Sequence, residues 1–149
     1  MARKVCLVHY HEIGLKGKNR STFENQLVRN LRRALRDWPV GSVRRISGHI
    51  LVSLEGRDAD EEVARAVSRV PGVARVSLAY VCALDSDEFS AAAVRALHEA
   101  GDFQSFKVHA RRSLTTYELH TLELNRLVGS VLCDEFPDKR VDVHHPDVT

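Results

Sequence analysis

The stretch EIGLKGKNRSTFENQLVRNLRRALR, residues 12–36, joins a Gly-rich, non-periodic loop to a helix, and each half carries positive charge differently. Lys16, Lys18 and Arg20 crowd the loop around Gly14 and Gly17. Ser21-x-x-Glu24 has the form of a capping box, with the hydroxyl accepting from the third helical N–H and the carboxylate reaching back. The spacing therefore predicts a helix from Ser21 to about Asp37, which Trp38-Pro39 stops. Along it Phe23, Leu27, Leu31, Ala34, Leu35 and Trp38 form one stripe, and at about 100° per residue Arg29, Arg32, Arg33 and Arg36 lie opposite.

Working outward, KVCLVHY before the loop is short, β-rich and nearly continuously apolar, which predicts a buried strand. Beyond the helix, two β-like runs at residues 43–46 and 50–54 flank Ser47-Gly48-His49 and predict a hairpin. Asp58-x-x-Glu61 opens a second helix with Val63, Ala66, Val67 and Val70 on one face, and Pro71-Gly72 ends it. Residues 73–82 alternate, with Val76, Leu78, Tyr80 and Cys82 together. The order βαββαβ describes a ferredoxin-like domain over residues 1–82.

From Leu84 the pattern starts afresh. Ser86 caps a helix bearing Phe89, Ala93, Ala96, Leu97 and Ala100 up to Gly101. SFKVHARR, residues 105–112, predicts a strand with Phe106, Val108 and Ala110 on one side and Lys107, His109 and Arg111 on the other. Thr121 caps a further helix carrying Leu124, Leu127, Val128, Val131 and Leu132, and RVDVHH predicts a final strand. Residues 83–149 thus form a partial αβαβ domain in an α+β chain, and two strands with two helices make a poor sheet alone.

The net charge of +2 conceals a local asymmetry: residues 1–49 hold 11 Lys/Arg against 3 Asp/Glu, while residues 50–102 hold 5 against 10. A basic block within one chain is the footprint of a polyanion-binding face. The arginine stripe has a second reading as a solvated helix face, although Glu24 and Asp37 are the only acids near it. GLKGKNR offers backbone N–H groups and three cations to an anion, but no GxxxxGK[ST] or GxGxxG spacing occurs. His9, His11, His49, His144 and His145 lack a companion set at metal-ligand spacing, so no metal site is expected. Nor does a Ser/His/Asp set or a carboxylate pair mark a catalytic centre. Cys6, Cys82 and Cys133 have no CxxC spacing and read as free thiols in the cytoplasm; no apolar run of membrane-spanning length or targeting segment is evident.

The segment EIGLKGKNRSTFENQLVRNLRRAL resembles the N-terminal region of the tRNA 4-thiouridine synthetases, or tRNA sulfurtransferases, of thiamine and tRNA sulfur chemistry, matching at Glu12, Ile13, Leu15, Lys16, Gly17, Asn19, Arg20, Phe23, Glu24, Leu27 and Asn30. FKVHARR, the spacing from His120 to Gly129, and VDVHHPDVT resemble the THUMP domain that follows in that family. His11, His49 and His144-His145 depart from its usual residues.

The resemblance implies a tRNA-binding region that grips the acceptor arm and its unpaired 3′ ACCA. It would present the uridine at position 8 to a PP-loop domain, outside these residues, that uses ATP and Mg with sulfur from a persulfide donor protein. The THUMP domain is expected to be truncated before its last strands. Lys107, Arg111 and Arg112 are then the leading RNA contacts, Asn125 orients them, Lys16, Lys18 and Arg20 form a second group, and Arg29, Arg32, Arg33 and Arg36 a third. An open edge near residues 141–143 predicts strand addition between copies, hence a homodimer. Two other readings stand beside this one: the RNA-binding module of another THUMP-containing tRNA-modifying enzyme, and a stand-alone protein-interaction module.

Overall fold

A computed structural model describes residues 3–11, 17–46, 48–55, 59–112 and 117–149. The chain divides into two compact units, Arg3–Val81 and Cys82–Thr149.

In the first unit the elements are β1 (Arg3–Tyr10), α1 (Lys18–Ala34), β2 (Val40–Ile46), β3 (His49–Leu54), α2 (Asp60–Ser68) and β4 (Val73–Val81). The strands form one antiparallel sheet in the order β2-β3-β1-β4, the ferredoxin-like arrangement. Central β1 justifies its unbroken apolar run, since Val5, Cys6 and Val8 are all fully buried. Cys6, Val8 and Tyr10 join Val43, Ile50 and Val52 in a core with Leu27 and Leu31 of α1, Leu35 just past its end, and Val63 and Val67 of α2. Val76, Leu78 and Tyr80 share a sheet face by register, but β4 is an edge strand, and Leu78 stays exposed. Cys82 lies just past its end.

Helix α1 begins three residues earlier than the capping box predicts. Its N-cap is Gly17, and no side chain caps it. Gly17 has φ 51° and ψ −118°, a conformation that glycine alone adopts without strain, so the turn into the helix is set there and not at Ser21. Glu24 consequently falls in the second turn on the core side, where it is buried and its Oε1 lies 4.0 Å from Nη1 of Arg45 on β2. The helix also ends early, at Ala34, and Trp38, no longer on the helical screw, is half-exposed. Of the second helix's predicted opening, Asp58 lies outside the described residues; α2 is preceded by Ala59.

The second unit contains α3 (Ser86–His98), β5 (Ser105–Phe106), α4 (Thr121–Glu135) and β6 (Arg140–Val141). Its core joins Leu97 of α3 to Phe103, Phe106, Val128, Leu132 and Phe136. The cap of α3 is Asp85, whose carboxylate accepts from the Asp87 N–H, and not Ser86; α4 starts at Thr121 with His120 before it and no side-chain cap.

Both predicted strands here are shorter than their apolar patterns. β5 and β6 pair in parallel over two residues each, and Val148 bridges to Phe106 on the other side. After Phe106 the Ala110 N–H is taken by the Asn125 side chain at 2.7 Å, not by a neighbouring strand. After Val141 the Asp142 carboxylate accepts from the N–H groups of His144 and His145, both at 3.0 Å, and turns the chain out of β6. Those two bonds hold the Asp142 carboxyl below its ordinary pKa. Asp147 closes the unit by accepting from the Gln104 and Ser105 N–H groups.

Candidate nucleic-acid interface

The segment from Lys107 to Arg112 leaves the short sheet and runs beside α3 and α4. The Lys107 N–H donates to the Val148 carbonyl, and Asn125 of α4 fixes Ala110, so the segment is held at both ends without strand pairing along its length. Val108 and Ala110 turn toward a cavity of about 310 Å3 lined also by Phe89, Tyr117, Leu124 and Val128, with Arg111 and Arg112 on its wall. The Phe89 and Tyr117 rings meet edge to face, with centroids 6.1 Å apart. An apolar, partly aromatic cavity flanked by guanidinium groups suits a base with its phosphate.

The two arginines differ in employment. Arg111 is exposed, whereas half-buried Arg112 donates from Nη1 to the carbonyls of Tyr117 and Leu119, at 3.0 and 3.2 Å. Arg112 therefore ties the Tyr117–Leu119 turn to the segment, a structural task that its sequence neighbour does not share. Sequence reasoning also missed Phe89 and Tyr117 as a pair, because they are far apart in the chain and only the packing of α3 brings them together. Lys107 is half-buried and lines a second apolar cavity of about 260 Å3 with His109.

On the first unit, Lys16 lies outside the described residues. Lys18 and Arg20 belong to the first turn of α1 and not to a loop ahead of it. That turn contains no acid, so these cations oppose the positive end of the helix dipole, an arrangement costing about 0.3–1 kcal/mol per charge that a bound anion relieves. Arg20 carries a buried Nε with no hydrogen-bond partner among the described residues.

At about 100° per residue Lys18 is in line with Arg29 and Arg33, so positive charge follows one face of α1 over about 22 Å, and Arg36 follows in the turn past the helix end. Arg29, Arg33 and Arg36 are exposed, and Arg29 bonds the Gln26 side chain at 2.8 Å. Arg32 stands apart: its Nη2 donates to the Val43 carbonyl at 2.9 Å, fastening α1 to β2.

Elsewhere the chemistry is quiet. Cys6 is buried in the core, which pushes its thiol pKa up to about 11 and leaves it protonated and unreactive. Among the described residues no group of three His, Cys, Asp or Glu could hold a metal ion. No described helix is long and apolar enough to cross a membrane.

Comparison with known proteins follows the same division into two units. Residues 5–77 match the family model described as the ThiI ferredoxin-like domain, and residues 85–149 match the THUMP domain. A "Probable tRNA sulfurtransferase" of Caldanaerobacter subterraneus subsp. tengcongensis is 36% identical over 98% of this chain and 38% of its own length. One of Moorella thermoacetica is 38% identical over 95% of this chain and 35% of its length. The crystal structure of a 4-thiouridine synthetase–RNA complex with bound ATP superposes with a TM-score of 0.83 at 30% identity, covering 98% of this chain and 37% of that one. The chain thus spans less than two-fifths of the length of these relatives. Its two domains, in this order, over nearly every residue, place it in the tRNA sulfurtransferase (4-thiouridine synthetase) family, as the ferredoxin-like and THUMP region.

Proposed function

We propose that this chain is the tRNA-holding part of a cytoplasmic tRNA sulfurtransferase, taking the acceptor arm with its unpaired 3′ ACCA and presenting the uridine at position 8 to a catalytic region outside these residues. ATP, Mg and the persulfide donor belong to that region, and no step of the chemistry falls to the residues described above. The observation that carries the reading is the Lys107–Arg112 segment, pinned by Asn125 beside an aromatic-lined cavity with Arg111 exposed. An unpaired RNA tail offers phosphates, ribose hydroxyls and unstacked base faces, which such a cavity and cation can engage. The cationic face of α1 supports contact with a second stretch of phosphates. The relative solved with RNA adds support by analogy.

Filter binding over a salt series, with intact tRNA and tRNA lacking ACCA, tests the proposal. Arg111→Ala is expected to weaken binding of intact tRNA and to lower the magnitude of the log–log salt slope by roughly 0.7 to 1. Removing ACCA should weaken the wild type more than the Arg111→Ala variant, because the deleted nucleotides and side chain are partners. Equal affinity of the wild type for the two RNAs would refute the acceptor-end assignment. Absence of binding even at low salt would favour a self-associating interaction module, for which the exposed Val141 and Val143 near β6 supply an apolar edge.

A further inference from the structure

At one end of the first unit's sheet, β1, β3 and β4 bring together His9, His49 and Arg75. His9 and Arg75 are direct cross-strand partners. His49 opens β3, and its ring meets that of His9 edge-on, with centroids 4.7 Å apart. A cavity of about 500 Å3 lies against these three, with Tyr10, His11, Gly48 and Ala74 completing its described wall. The residues are 26 or more positions apart in sequence where they come from different strands, so no linear motif announces them.

The charge pattern decides what such a cleft can hold. Toward His9 the neighbouring elements present Arg75 and the hydroxyl of Ser77 from β4 and His49 from β3, and His11 follows just past the end of β1; no carboxylate is among the described lining residues. Two imidazoles are good zinc ligands, but a guanidinium in the same wall repels a divalent cation, and no acid among the described lining residues offsets it. An anion meets the opposite balance. Arg75 offers a planar fork of donors suited to two oxygens of one oxyanion, and each imidazole becomes a donor at both nitrogens once protonated.

We propose that the His9–His49–Arg75 cleft is a phosphate-binding site that takes the oxygens of a phosphate group and draws a proton from solvent onto His9 as it does so. In the free protein, burial, then Arg75 and then His49 hold the His9 pKa below its ordinary value. An entering anion offsets the positive charge of Arg75 beside His9, so protonation and binding reinforce each other and affinity rises as pH falls through the imidazole range. A backbone phosphate of RNA and a free phosphate share this chemistry. The site stands independently of the acceptor-end reading.

The test follows the imidazole resonances of His9 and His49 by NMR, at constant ionic strength, while sulfate, an oxyanion of constant charge across the range, is added at about pH 5.5 and about pH 8. Both rings should shift together and saturate, with binding at least about tenfold tighter at the lower pH. Calorimetry in two buffers of different ionisation enthalpy should report proton uptake. Arg75→Gln should weaken binding at both pH values, and His9→Gln should flatten the pH dependence.

A tail-less acceptor-stem RNA and inorganic phosphate, added separately at matched phosphate concentration, identify the source. Shifts of the same two resonances by either one support the site and name its ligand. Unmoved rings with sulfate at the lower pH would overturn the proposal. So would saturation by micromolar Zn2+ with no response to sulfate, which would make the cleft a metal site.

Discussion

Arg111 and Arg112 are neighbours of identical chemistry, yet the fold gives them different partners. Arg112 gives one guanidinium nitrogen to two carbonyls of the 117–119 turn, while Arg111 stands exposed on the cavity wall. Removing Arg112 orphans those carbonyls in a half-buried setting, at an expected cost of about 1–3 kcal/mol, whereas Arg111→Ala should stay within about 0.5 kcal/mol. Urea unfolding of the two single variants checks the split; equal midpoints would show that the two bonds contribute nothing. It follows that Arg111→Ala is the clean probe of RNA contact. A loss of binding in Arg112→Ala mixes lost charge with a loosened turn. The same logic applies to Asn125, which acts on the interface through the Ala110 N–H and not by facing solvent as a charge.

At the scale of elements, the starts and stops depend on backbone conformation more than on side-chain signals. Gly17, with positive φ and open space where a Cβ would project, admits the volume of a methyl group but not the dihedral angles. Gly17→Ala should therefore destabilise the first unit by about 1 kcal/mol or more through strain alone, with no steric clash, while Ser21→Ala should cost little because Ser21 is already inside the helix. Thermal melts of both variants decide between this start and a capping box: a larger loss for Ser21→Ala would restore the capping box. The strands of the second unit show the same dependence. Their apolar alternation extends past Phe106 and Val141, but further along the Asn125 side chain takes the Ala110 N–H and the Asp142 carboxylate takes those of His144 and His145, where a longer ladder would need them.

Across the whole molecule, the asymmetry of charge is the property with functional reach. The basic block of residues 1–49 becomes a line along α1 once the helix places Lys18, Arg29 and Arg33 on one face, with Arg36 in the turn just past its end. Replacing Arg29, Arg33 and Arg36 together by Gln is expected to reduce the tRNA salt slope by about 2 to 3 if each arginine meets a phosphate, with unfolding midpoints nearly unchanged because all three are exposed. Arg32 is left out because its bond to the Val43 carbonyl holds α1 on β2. An unchanged slope would identify the stripe as a solvated face.

Hydrophobic period and turn chemistry, both local, were enough to reveal the βαββαβ order, the buried β1 and the αβαβ order of the second unit, and local composition revealed the basic block. Each follows from side chains within a few positions of one another, which is the range over which a sequence pattern reports. The tertiary structure alone decided which cations are free to meet a ligand and which are already bonded to the protein. Arg32 and Arg112 look like their neighbours in sequence because the carbonyls that occupy them lie on other segments, 11 positions away in one case and 5 and 7 in the other. It also decided the two clusters of greatest chemical interest, Phe89 with Tyr117 and His9 with His49 and Arg75. Their members meet only because helix packing and strand register close long loops, a contact that no local pattern encodes.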